Sequence, residues 1–135
     1  MGITLAKQSI DLGIVTTNGE AMLAFYRDVV GLKYLTQIPM PGGLGGVMHR
    51  MMCGDSMIKL VVFSDVPAKA PPGGIPGASG YRYWTISVSN LSELTKACVN
   101  AGVKVVVGEM QLRPGITITI VEDPDGNFVE FLSQG

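Results

Sequence analysis

Histidine and cysteine are scarce. The chain carries one His (His49) and two Cys (Cys53, Cys98) among 135 residues, whereas zinc and haem sites usually draw on several imidazoles or thiolates. Two cysteines without metal-ligand spacing are also too few for a disulfide framework, and both are read as reduced. Charge is sparse and balanced, with ten Lys and Arg against eleven Asp and Glu and no basic run. That excludes a surface tracking nucleic-acid phosphates. Mean hydropathy is positive at +0.34, yet apolar clusters such as Ile58-Lys59-Leu60-Val61-Val62-Phe63 are interrupted, and none approaches the roughly 20 residues of a membrane span. The first residues have no secretory layout, and Ala6 stands where a myristoylation signal needs Ser or Thr. These absences predict a cytoplasmic, single-domain protein over residues 1–135 whose partner is a small molecule, not nucleic acid or membrane. With 47% hydrophobic residues the chain can bury a sizeable core, and its chemistry falls to carboxylates, amines, hydroxyls and backbone.

What is present is an internal repeat. Ile14-Val15-Thr16-Thr17-Asn18 matches Ile86-Ser87-Val88-Ser89-Asn90 at a spacing of 72. Thr17-x-x-Glu20 and Asn90-x-x-Glu93 resemble capping boxes, each opening a helix. Met22, Phe25, Tyr26 and Val29 then repeat at i, i+3, i+4, i+7, as do Leu94, Ala97, Cys98 and Ala101, which marks the core stripe of each helix. Gly31 and Gly102 serve as C-terminal caps. Strands are predicted before each helix and at 33–35, 47–52 and 57–63, then at 103–107, 116–121 and 128–132. Hairpin turns fall at Cys53-Gly54-Asp55-Ser56 and Asp123-Pro124-Asp125-Gly126. The fold class is therefore α+β, two β-α-β-β-β modules over about 9–63 and 81–133. The Gly/Pro-rich stretch from Pro67 to Gly80 lies in the linker (about 64–80), and a second such stretch runs from Pro39 to Gly46; either is read as a connector or as a lid.

Strand alternation sends Trp84, Ile86, Val88, Leu12, Ile14, Ile58, Leu60, Val62, Ile116, Ile118, Ile120, Val129 and Phe131 to the face beneath the helices. The opposite face receives Asp11, Gly13, Val15, Lys59, Val61, Phe63, Tyr83, Thr85, Thr117, Thr119, Phe128, Glu130 and Leu132, a mostly apolar set with a few polar groups that suits a small-molecule cavity. Asp11 corresponds to Tyr83, and Lys59 to Glu130, across the repeat. A pseudo-twofold arrangement would let these four converge between half-barrel sheets. His49 matches Ile120 at a spacing of 71, which makes it a structural histidine on the helix side and puts Arg50, Met48 and Met52 toward the cavity.

Phe25-Tyr26-Arg27-Asp28-Val29-Val30-Gly31-Leu32 and Asp123-Pro124-Asp125-Gly126-Asn127-Phe128-Val129-Glu130-Phe131, in a paired β-α-β-β-β chain, resemble the vicinal oxygen chelate superfamily. That group includes glyoxalase I, bleomycin-resistance proteins and extradiol dioxygenases. The resemblance covers about residues 9–133 and implies a homodimer. It also assigns metal-ligand positions, on the first and last strands of each half, to Asp11, Lys59, Tyr83 and Glu130. Of these only Glu130 is a usual ligand, and the Lys59 ammonium opposes a divalent ion, so no metal and no cofactor are expected. Lys59 instead neutralises Asp11 and Glu130, while Tyr83 donates a hydrogen bond.

Three functions follow from the resemblance. In a metal-independent isomerase, epimerase, cyclase or lyase acting beside a carbonyl, Glu130 or Asp11 is the base and Lys59 or Tyr83 the electrophile. Arg50, Met48, Met52, Val61, Phe63, Thr85, Thr117, Thr119, Phe128 and Leu132 then bind the ligand. In a bleomycin-resistance-like sequestering protein, affinity for an amphipathic compound comes from Trp84, Tyr81, Phe63 and the methionines. The third is a metal-dependent glyoxalase- or dioxygenase-like enzyme.

Overall fold

Period-two alternation in the strands and a wide apolar helical stripe give each half a sheet with one face under a helix. The computed structural model describes residues 2–135, Met1 lying outside them, and the chain divides into two compact units between Ala68 and Lys69. Among the described residues no helix is long and apolar enough to cross a membrane.

In the first unit, β1 (Leu12–Val15) leads into α1 (Gly19–Leu23), which widens into a π-helical turn (Ala24–Val29) before β2 (Lys33–Pro39), β3 (Gly46–Cys53) and β4 (Ser56–Phe63). The sheet order is β1-β4-β3-β2, with β1 parallel to β4 and the other pairs antiparallel. The π turn shows in the Val30 amide, which donates to the Phe25 carbonyl at 2.9 Å. Adjacent Phe25 and Tyr26 are both buried and meet edge to face, centroids 4.6 Å apart. Burial of Met22, Phe25 and Tyr26 contributes roughly 1.5–3 kcal/mol each. Gly31, at φ +87°, then turns the chain out of the helix as predicted.

The second unit repeats the plan with β5 (Tyr83–Ser87), α2 (Leu91–Asn100), β6 (Lys104–Arg113), β7 (Ile116–Glu122) and β8 (Phe128–Gln134), in sheet order β5-β8-β7-β6. A single 3-10 turn, Ile75–Gly77, precedes β5. β6 is about twice its predicted length and carries register irregularities, which let it bend along β7.

Several expectations need correction. The capping boxes do not form: the first helix starts after Asn18, and neither helix receives a side-chain cap. Thr16 Oγ1 instead accepts from the Asn18 amide, and the Asn90 side chain donates to the Glu93 carboxylate. In α2 the buried stripe is Leu91, Leu94 and Cys98, whereas Ala97 and Ala101 are exposed. The largest correction concerns β7. Thr119 stands opposite Phe131 and Val121 opposite Val129, both partners facing the helix, while Ile118 pairs with Leu132 and Ile120 with Glu130. Thr119 is fully buried, its hydroxyl 2.9 Å from that of Thr95 on α2. Thr117 and Thr119 therefore face the helix and leave the proposed ligand-binding set, and Ile116, Ile118 and Ile120 change sides. The cause is the turn before β8, which spans one residue more than the turn before β4: Met52 pairs with Met57, but Glu122 pairs with Phe128. A single spacing applied to all strands is thus out of step on β7.

His49 does face the helix, opposite Leu60, but its counterpart is Thr119 and not Ile120. Its Nδ1 lies 2.9 Å from the Tyr34 hydroxyl, and Arg27 covers the Tyr34 ring at 5.7 Å. Two local devices close the second unit. Asp123, only 3% exposed, accepts from the Asp125 and Asn127 amides through Oδ1 and from the Asn127 side chain through Oδ2, so the Asp-Pro-Asp-Gly-Asn motif builds a turn. The Arg82 guanidinium donates to the carbonyls of Pro71, Pro72 and Gly74, fastening the second half of the Pro67–Gly80 stretch to its own unit.

Replacing Asp123 by Ala strands three donors and is expected to cost about 2–4 kcal/mol of unfolding free energy, measured by denaturant titration. Burial, then the Arg27 charge, holds the His49 pKa below its ordinary value. The unfolded chain therefore takes up the proton first, and stability falls as pH drops below about 6.5. As the one imidazole in the chain, His49 should give a single proton NMR titration with its midpoint below that value.

Candidate active site

The sheet face turned away from the helix carries most of the candidate side chains of each unit. In the first unit the register aligns a row across four strands: Gly13, Lys59, Arg50 and Thr36. Met48 stands opposite Val61 on one side of the Lys59–Arg50 pair and Met52 opposite Met57 on the other, with Phe63 further along β4. Arg50, Met48, Met52, Val61, Phe63 and Lys59 thus share one face. The Arg50 Nε is buried without a hydrogen-bond partner.

Asp11 lies at the start of this face but is otherwise engaged. Its Oδ1 accepts from Lys7 Nζ at 2.7 Å and from the Met57 amide at 2.8 Å. The Lys7 hydrogen bond foremost, then the Met57 amide, lowers its pKa, and Lys59 contributes the weakest of the favourable effects. The expectation that Lys59 neutralises Asp11 is therefore corrected: Lys7, from the segment preceding β1, holds that carboxylate.

In the second unit the equivalent row is Thr85, Glu130, Ile120 and Val107. The Thr85 hydroxyl donates to Glu130 Oε1 at 2.7 Å, so Glu130 is held by Thr85 where Lys59 was expected. Tyr83 pairs with Phe128 one step along the same face; it is 53% exposed and donates no hydrogen bond to any described residue. Leu132 continues the face beside Ile118. Ile118 and Ile120 are the members that sequence reasoning missed, and the signal that would have found them is the extra turn residue. Trp84 pairs with Val129 and faces the helix, so of the aromatics assigned to sequestration it does not share this face. Thr117 lies instead in a polar groove near the start of α2, with Ser89, Ser92, Glu93, Glu109 and Ser133.

The positions that the family resemblance assigns to metal ligands are otherwise engaged or of the wrong charge. Asp11 is occupied by Lys7 and an amide, Lys59 brings an ammonium, and Glu130 is bound to a threonine. Among the described residues no three of His, Cys, Asp and Glu come together as a metal site requires. This donor set does not fit a divalent ion.

Comparison with known proteins agrees on the family. No curated protein sequence matches the chain. Among solved structures, a glyoxalase family protein from Bacillus cereus superposes with a TM-score of 0.81 at 18% identity, covering 99% of this chain and 98% of that one. The trypanothione-dependent glyoxalase I of Leishmania major gives 0.73 at 18% identity, over 95% and 87%. TioX from Micromonospora sp. ML1 gives 0.70 at 15%, over 96% and 100%. At these identities the likeness is one of fold. The sequence itself matches the Glyoxalase/Bleomycin resistance protein/Dioxygenase superfamily over residues 9–131, and with the two β-α-β-β-β units described above the chain belongs to that superfamily.

Proposed function

We propose that this chain is a metal-independent enzyme of the superfamily that moves a proton beside a carbonyl, as an isomerase, epimerase, cyclase or lyase does. The observation that carries the reading is the 2.7 Å hydrogen bond from Thr85 to Glu130 Oε1, with Tyr83 projecting from the same face of β5. Thr85 fixes one carboxylate oxygen and leaves Oε2 as the base, and Leu132, Ile118 and Ile120 provide an apolar surround. Asp11, the alternative base, is a poor candidate because Lys7 and the Met57 amide depress its basicity.

The reaction needs little else. Glu130 Oε2 takes a proton from the carbon next to the carbonyl, the C–H electron pair becomes the enolate double bond, and the negative charge moves to the carbonyl oxygen. The Tyr83 hydroxyl donates to that oxygen, supplying the stabilisation that relatives with metal obtain from the ion. Return of the proton to the other face or another carbon gives isomerisation, and loss of a leaving group from the β-carbon gives a lyase.

Deuterium wash-in at C3 of pyruvate, 2-oxobutyrate and phenylpyruvate, the carbon next to the carbonyl, followed by NMR in D2O, tests this directly. The wild type should accelerate exchange, and Glu130→Gln should lower the rate about 10²–10⁴-fold. Tyr83→Phe should slow exchange less than Glu130→Gln. Binding of these compounds without any exchange would favour the sequestering alternative.

A further inference from the structure

Arg50 and Lys59 are placed where two cations should not be. They stand directly opposite each other on neighbouring antiparallel strands, an arrangement that destabilises a sheet when the charges are alike. Among the described residues neither is in an ion pair, the pairs being Lys7–Asp11, Arg27–Asp28 and Lys104–Glu122, and Asp11 meets the Lys59 charge only as the weakest of its favourable interactions. Asp11, on the same face, is already taken by Lys7 and the Met57 amide. The Arg50 Nε is buried and unbonded, a position that ordinarily costs stability unless something fills it.

We infer that Arg50 and Lys59 form an anion receptor on the β3–β4 face of the first unit, built for a carboxylate carried on an apolar body. The Arg50 fork suits two carboxylate oxygens, and Lys59 adds a point charge from the adjacent strand. The rows on either side are apolar, Met48 with Val61 and Met52 with Met57, and methionine adapts to varied hydrophobic shapes. Beyond Lys59 the row ends on Gly13, where even a Cβ would meet nothing within 4 Å, leaving room beside the ammonium. A bare inorganic oxyanion would gain the charges but waste the apolar walls. The inference does not depend on Glu130 acting as a base, because its readout is binding and not turnover.

The test uses the whole chain and matched probes: phenylacetate, its neutral analogue phenylacetamide, and inorganic phosphate, with affinities from isothermal titration or NMR shifts. Phenylacetate should bind at least 10-fold more tightly than phenylacetamide or phosphate. Arg50→Met and Lys59→Met should each weaken phenylacetate at least 10-fold, with Arg50→Lys intermediate. Without ligand, Arg50→Met should melt a few degrees above wild type, since it removes an unpaired cation from a half-buried face, so loss of binding in that variant cannot be ascribed to misfolding. Equal binding of phenylacetate and phenylacetamide, or unchanged affinity in both methionine variants, would overturn the receptor. Phosphate binding as tightly as phenylacetate would overturn the apolar-bodied ligand, and a ligand-free Arg50→Met that melts below wild type would overturn the claim that the pair is held against its own repulsion.

Discussion

Everything chemical in this protein hangs on the pairing register around the last strand of each unit. β4 and β8 sit inside their sheets, each flanked by a parallel first strand and an antiparallel hairpin partner. A side chain on either strand therefore has a fixed neighbour on both sides. A shift of one residue would exchange the faces and carry Lys59 or Glu130 under a helix. The apolar residues that alternate with them, Ile58 and Leu60 in one unit and Val129 and Phe131 in the other, are almost fully buried. Their burial is what makes such a shift costly.

Equivalent rows of the two units have diverged into opposite chemistry on one backbone plan. Gly13, Lys59, Arg50 and Thr36 answer to Thr85, Glu130, Ile120 and Val107. One row holds two cations with an open position at its end, and the other holds a carboxylate fixed by a hydroxyl among branched aliphatics. Asp11 and Tyr83 make a similar contrast: the first is bound by Lys7 and an amide, the second is free to meet a ligand. Small changes of residue type on one backbone plan thus separate a row of positive charge from a row that carries a carboxylate.

The fold was largely legible because the strongest signals were periodic: the repeat spacing, the helical stripe of Met22, Phe25 and Tyr26, and the alternation of β4, β5 and β8. β7 was not, because Ile116-Thr117-Ile118-Thr119-Ile120 alternates cleanly with the wrong hydrophobic logic. Thr119 can be buried at little cost because Thr95 meets its hydroxyl, and that partnership is invisible in a strand read alone. The site was legible in part. Lys59, Arg50, Met48, Met52, Val61 and Phe63 fall on one face as the alternation implies, and Glu130 shares a face with Tyr83 and Thr85. The partner of Asp11 was not legible, since Lys7 lies before the first strand in a segment without periodic pattern.

The Arg82 clasp has a consequence for how this chain can vary. Its donors reach only main-chain carbonyls, at Pro71, Pro72 and Gly74, so side chains at positions 71 and 72 are not read by the contact. Close backbone approach restricts others: a Cβ on Gly73 would come within 2.8 Å of Gly77, and one on Gly77 within 2.9 Å of the Pro72 carbonyl. The burden of specificity thus falls on one guanidinium and two bare backbone positions. Gly74 and Gly80, at φ +72° and +105°, also resist a side chain, and Lys at position 82, a point charge without the planar fork, would not replace the residue that holds the stretch.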